Sequence, residues 1–162
     1  MKGIRVQLIC VGKMKEKFYI DAAAEYVKRL SAYCKLQVVE LPEERLPEDP
    51  SPAQIEAALS KEADAVRAKL PNGCLVIAMC VEGRERSSEE LARYLADSAA
   101  QGASHIVFLI GSSFGMHESL KRQAALRLSM SPMTFPHHLL RVMLLEQIYR
   151  AYQINAGSRY HK

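Results

Sequence analysis

Cys74-Leu-Val-Ile-Ala-Met-Cys-Val81 carries no charged or amide side chain over its whole length. A run this short and this apolar has the length of a β-strand. Apolar on both faces, it belongs inside a parallel sheet covered by helices on both sides. Ile106-Val-Phe-Leu-Ile110 repeats the pattern. Working outward, Ile4–Val11 reads as an N-terminal strand, and the alternating, β-branched Leu36–Leu41 as a second. A last short strand is expected near Leu126–Ser129. Helices fill the gaps. Glu16–Tyr33 carries helical spacing through Tyr19, Ala22, Ala23, Tyr26, Val27 and Leu30. Ala53–Leu70 is rich in Ala, Glu and Lys and stops at the turn signal Pro71-Asn72-Gly73. Ser87 and Glu90 form a capping box ahead of Leu91–Ala100. A short helix is expected around Glu118–Ala125. Pro42–Pro52, with four prolines and five charges, reads as a loop. The alternation predicts an α/β fold, a single domain over residues 1–162 with a mostly parallel sheet flanked by helices.

The bulk numbers narrow the function classes. A net charge of +4 and a pI near 8.9 permit an anionic partner such as RNA without requiring one. The distribution is uneven. Glu40, Glu43, Glu44, Glu48 and Asp49 make an acidic segment. Lys13, Lys15 and Lys17 form one basic cluster, and Arg141, Arg150, Arg159 and Lys162 another. Cys10, Cys34, Cys74 and Cys80 lack C-x-x-C spacing and sit mostly in apolar runs, which fits a reduced, cytoplasmic protein. No apolar stretch is long enough for a membrane span, and the N-terminus lacks a signal-peptide pattern. His137 and His138 are adjacent and diverge on a helix. His105 and His117 have no carboxylate or Cys at useful spacing. No metal site and no nucleophilic thiol are expected.

In open parallel sheets the ligand lies beyond the carboxyl ends of the strands. The segments after Met79, Ile110 and Ser129 are therefore the places for a site. After Ile110 comes a glycine loop, Gly111-Ser-Ser-Phe-Gly115, where backbone could approach a ligand closely. It is neither G-x-G-x-x-G nor a Walker loop, and alone it also fits a plain tight turn. After Ser129 comes Met130-Ser-Pro-Met-Thr-Phe-Pro-His137. Its hydroxyls could hold a polar heterocycle while Met130, Met133 and Phe135 cover the faces. It also fits a helix-capping loop with core-facing methionines. The helix Pro136–Ala156 starts near Thr134 and Pro136 and ends before Gly157. It is apolar over most of its circumference, so it is either central to the monomer or packed on a second subunit. An i,i+4 salt bridge is expected between Glu146 and Arg150. The chain ends in Tyr160-His161-Lys162, a solvated tail or a set of proton-moving, stacking and phosphate-binding groups.

In combination these segments resemble one family. Phe-Leu-Ile-Gly-x-x-x-Gly, Leu-Ser-x-Ser-x-Met-Thr-Phe-Pro-His, Leu-x-Arg-x-x-Leu-x-Glu-Gln-x-Tyr-Arg-Ala and the closing Tyr-His-Lys are similar to the RlmH family. These are ribosomal RNA large-subunit pseudouridine N3-methyltransferases of the SPOUT class. The likeness spans essentially the whole chain. One departure is Ser112, where the family usually has a second glycine. The resemblance implies a C-terminal trefoil knot and S-adenosylmethionine as cofactor, with Met79, Gly111, Met130, Ser131, Pro132, Met133, Thr134 and Phe135 as its contacts. It also implies a homodimer that methylates N3 of a pseudouridine in helix 69 of 23S rRNA on the assembled 70S ribosome. His161, Tyr160, Arg150 and Lys162 are the catalytic candidates it points to. A non-catalytic ribosome-binding factor and a SPOUT methyltransferase acting on tRNA are the competing expectations.

Overall fold

The structure is a computed structural model and describes residues 3–161. Five strands, β1 (Arg5–Val11), β2 (Lys35–Leu41), β3 (Leu75–Glu85), β4 (His105–Ile110) and β5 (Leu126–Ser129), form one sheet in the order β2-β1-β4-β3-β5. Every neighbouring pair is parallel. Five helices connect or follow them: α1 (Lys17–Leu30), α2 (Pro52–Arg67), α3 (Ser88–Ala100), α4 (Glu118–Gln123) and α5 (His137–Asn155).

Strand alternation divides the core into two layers. Val6, Leu8 and Cys10 of β1, with Ile106, Phe108 and Ile110 of β4, pack against residues of α1, α3 and α5. Ile9, Val11, Val107 and Leu109 point to the other face, with Ala63 and Val66 of α2 and Leu120 of α4. Strands buried on both faces account for the unbroken apolar runs.

Two capping boxes fix helix starts. Ser51 with Gln54 begins α2, one residue earlier than the sequence reading, and Ser87 with Glu90 begins α3 as expected. Pro136 occupies the cap position of α5, where no side chain caps the helix; Thr134 does not do so. Gly157 follows the helix with φ +72°. Helix α5 is central, because it packs on both α1 and α3 and buries Leu144, Leu145, Ile148 and Ala151.

The main departure from the sequence reading is β3. It continues past Val81 to Glu85, but Met79 and Arg84 both stand opposite Leu128. The intervening residues bulge out of the ladder. Gly83 makes the return possible, since a Cβ there would lie 2.9 Å from the Arg127 backbone. The charges of Glu82, Arg84 and Glu85 hide this extension from a search for apolar strands.

Candidate functional site

The ends of β3 and β4 and the segment leading from β5 into α5 enclose one cleft of about 560 Å³. The β3 bulge contributes Met79 to Glu82. The glycine loop contributes Gly111 to Ser113 and Gly115, and the third wall is Thr134 to His137 with Leu140. A side chain at Gly111 would overlap the Gly115 carbonyl, so only glycine fits. Across the loop, the Ser112 N–H donates to the Gly115 carbonyl at 3.0 Å and the Gly115 N–H donates back at 2.8 Å.

The acidic segment after β2 braces this loop. The Ser112 hydroxyl donates to Glu62 of α2 at 2.8 Å, and the Glu44 N–H donates to the same carboxylate at 2.9 Å. Glu43 accepts the Ser113 N–H at 2.8 Å. Glu62 is only 6% exposed. Burial pushes its carboxyl above the usual range against these two donors, and the Glu43 and Glu44 charges add to the rise.

Arg141 corrects the sequence reading. It is 4% exposed and does not join a basic surface with Arg150 and Arg159. It donates to Glu40 at 2.6 Å and to the Gly12 carbonyl at 3.2 Å, tying α5 to the end of β1. Burial pushes the Glu40 carboxyl up, but the Arg141 hydrogen bond, the Met14 N–H and the Arg141 charge bring it below its ordinary value.

Of the anticipated cofactor contacts, the structure brings Met79, Gly111, Thr134 and Phe135 to the cleft. Met130 packs against the core instead. The Ser131 hydroxyl accepts the Met133 N–H at 3.0 Å while the Ser129 hydroxyl donates to the Ser131 carbonyl, which folds 129–133 into a tight turn beside the cleft. Pro132 is exposed, and Met133 is 72% exposed.

Three of the four catalytic candidates form a second cluster, on the last turns of α5. Glu146 accepts two Arg150 N–H groups, at 3.2 and 2.7 Å, and the Tyr160 hydroxyl at 2.8 Å. The expected Glu146–Arg150 pair is thus present. Arg150 also donates to His161 Nδ1 at 2.9 Å. Arginine has no acceptor, so Nδ1 carries the lone pair and Nε2–H donates to Glu89 of α3. Burial and the Glu146 contact push the Tyr160 phenol up to about 12, which makes it a donor rather than a base at neutral pH. Lys162 lies outside the described residues.

Leu140 on the cleft wall and Glu146, the nearest member of the tail cluster on α5, are six positions apart, about 9 Å along the helix axis, and no residue of the cluster lines the cleft. The cleft and the tail of one chain are separate.

Among the described residues no group of His, Cys, Asp and Glu could hold a metal ion, and no helix is long and apolar enough to cross a membrane. His117 does find a carboxylate, contrary to the sequence reading. Its Nε2 meets Glu56 of α2 at 2.6 Å while Nδ1 accepts the Ser119 N–H at 3.1 Å. The partner lies 61 residues away, beyond local spacing rules. The four thiols are free, and burial pushes Cys10 up to about 12 and Cys34 to about 11.

Sequence reasoning missed His137, Lys121 and Glu82, which all line the cleft. Burial and the His138 charge push His137 below its ordinary value. Lys121 pairs with Glu82 at the β3 bulge. The available signal was position: Pro136-His137 opens a helix directly after the last strand loop.

An open parallel sheet with a glycine loop and a cleft at its strand ends defines an α/β domain with a small-molecule-sized site. The chain belongs to the SPOUT methyltransferase family, whose model, described as "Predicted SPOUT methyltransferase", matches residues 4–161, and within it to the RlmH group. It is 43% identical over 159 residues to the ribosomal RNA large subunit methyltransferase H of Streptococcus uberis. That match covers 98% of this chain and all of the relative. It is 46% identical, with the same coverage, to the protein of that name from Bifidobacterium adolescentis. The fold is also similar to the structure of a probable methylase family protein from Haemophilus influenzae. The TM-score is 0.51 at 15% identity, over 99% of this chain and 71% of the other.

Proposed function

We propose that this chain is an S-adenosylmethionine-dependent methyltransferase that acts on N3 of a pseudouridine in helix 69 of 23S rRNA, on the assembled 70S ribosome. One observation carries the reading: a cofactor-sized cleft across three strand ends, in a chain matched end to end by relatives named ribosomal RNA large subunit methyltransferase H.

The cleft fits the cofactor. Its volume lies within the roughly 300–1,000 Å³ of small-molecule sites. Its lining mixes the apolar Met79, Val81, Phe135 and Leu140 with the polar Ser112, Ser113 and Thr134. When bound, the cofactor supplies a sulfonium methyl for direct displacement. Met79, Gly111, Thr134 and Phe135 would hold it there. The imide N3 of the acceptor must lose a proton before it becomes a useful nucleophile. His161 is the group that accepts or relays that proton: its Nδ1 lone pair, held by Arg150 in the free chain, takes the proton once Arg150 turns to the RNA. Arg150 and Lys162 contact phosphate or the uracil oxygens and so favour the developing anion. Tyr160 positions or stacks the base.

Because tail and cleft are separate within a chain, the working unit is a homodimer in which one subunit's tail completes the other's cleft. Val81, Phe114 and Met133, large exposed apolar residues on the three loops around the cleft, support such a partner surface. The domain spans the whole chain and closes with the trefoil knot of its class, and the protein works in the cytoplasm.

The test is a transfer assay with labelled cofactor on 70S ribosomes lacking the modification, on free subunits and on tRNA, followed by mass-spectrometric mapping. Label at N3 of a helix 69 pseudouridine, in whole ribosomes only, is the expected result. Label confined to tRNA overturns the substrate. Ribosome binding without any transfer turns the reading to a docking factor.

A further inference from the structure

We propose that the segment Lys13–Phe18, running from the β1–α1 loop into the first turn of α1, is an RNA-docking strip: Lys13 and Lys15 take phosphates while the exposed Phe18 ring stacks an unpaired base next to the cleft. The inference rests on the proposed RNA substrate and adds to it the surface that holds that RNA.

The strip is anchored from below and open above. The Gly12 carbonyl accepts Arg141, and the Met14 N–H donates to Glu40 at 3.1 Å. Glu16 meets His138 Nδ1 at 3.0 Å. Met14 is buried between Lys13 and Lys15, which are both exposed. Extended chain around a buried methionine thus presents two ammonium groups on a fixed backbone. Among the described residues neither lysine has an ion-pair partner within 4.0 Å, whereas Lys17 pairs with Asp21. The nearby Glu40 is committed to Arg141 and the Met14 N–H. Exposed, unpaired cations are what neutralise RNA phosphates.

Phe18 is 67% exposed, unusual for a large apolar ring. It is also the outer end of a series of rings. Phe18 and Tyr19 lie 4.4 Å apart by ring centroid, Tyr19 and His138 6.4 Å, and His138 and His137 4.4 Å. His137 lines the cleft, and the Cβ position of Gly12 is 3.7 Å from its Nε2. The strip and the cleft therefore share a border. A ring flanked by cations suits a base splayed from a loop, since every base has a stacking face and single-stranded sites combine stacking with backbone charge.

The experiment compares wild type, Phe18→Ala and the double variant Lys13→Ala/Lys15→Ala for binding to unmodified 70S ribosomes across a salt series. Cofactor affinity and solution mass are measured on the same samples. Truncating the ring is expected to weaken ribosome binding roughly 5- to 100-fold. Removing both lysines is expected to lower the log–log salt slope by about 1.5. Cofactor affinity and mass stay as in wild type. If wild type binds and both variants bind equally well with the same slope, the strip is overturned and the methyltransferase reading stands. If Phe18→Ala lowers the mass, the ring belongs to a subunit interface and the strip is overturned. Wild type that fails to bind ribosomes overturns the substrate and the strip together.

Discussion

Glu62 takes two hydrogen bonds, from the Ser112 hydroxyl and the Glu44 N–H, in a place almost without water. Glu62→Ala leaves both donors unpaired, and we predict a loss of about 1–3 kcal/mol in urea unfolding. Its pH behaviour has a definite sign. A carboxyl whose folded value lies above its unfolded one holds more protons in the folded state, so its contribution falls as pH rises past about 4.5. Unfolding measured from pH 4.5 to 7 should therefore show a shallower decline in Glu62→Gln than in wild type. An unchanged slope would place the cause elsewhere. None of this was legible in Ser112 or Glu62 alone, because their pairing spans 50 residues. Arg141 was legible in part: a lone cation inside Leu139–Leu145 is a sign of burial, and reading it as surface charge ignored its neighbours.

At the scale of elements, α5 holds both halves of the candidate site, with the cleft at its first turns and the tail cluster at its last. Leu145 lies fully buried in the layer that α5 shares with α1 and α3. Leu145→Ala should cost about 2–5 kcal/mol, read by thermal or urea unfolding. Glu146→Gln keeps the size but loses the charge that gathers Arg150 and Tyr160. We predict a fall in methyl transfer of roughly 100-fold, the scale of a catalytic group displaced by about 1 Å, with cofactor affinity unchanged. The helices and four of the strands were legible because periodicity and caps are local. The β3 bulge was not, since its return depends on the fit of Gly83 against the Arg127 backbone. The three strand ends that form the cleft were found from topology alone; which loop residues line it needed coordinates. Met130 and Thr134 look equally suitable in sequence, yet only Thr134 reaches the cleft.

For the whole molecule, the separation of tail and cleft is the observation on which the proposed homodimer rests. In a single chain no member of the tail cluster lines the cleft, although both sit on one helix. In the proposed homodimer, two chains related by a two-fold axis would bring each tail to the other's cleft and cover the exposed Val81, Phe114 and Met133. The most direct measurement mixes two inactive proteins by co-expression. One is Thr134→Trp, which fills the cleft and leaves the tail intact; the other ends at Arg159 and keeps only the cleft. Each alone should transfer no methyl groups to 70S ribosomes. In a random mixture half the dimers are heterodimers with one intact composite site in two, so roughly a quarter of wild-type activity should return. Activity that stays at zero in purified heterodimers would show that tail and cleft must belong to the same chain, and would contradict the shared site.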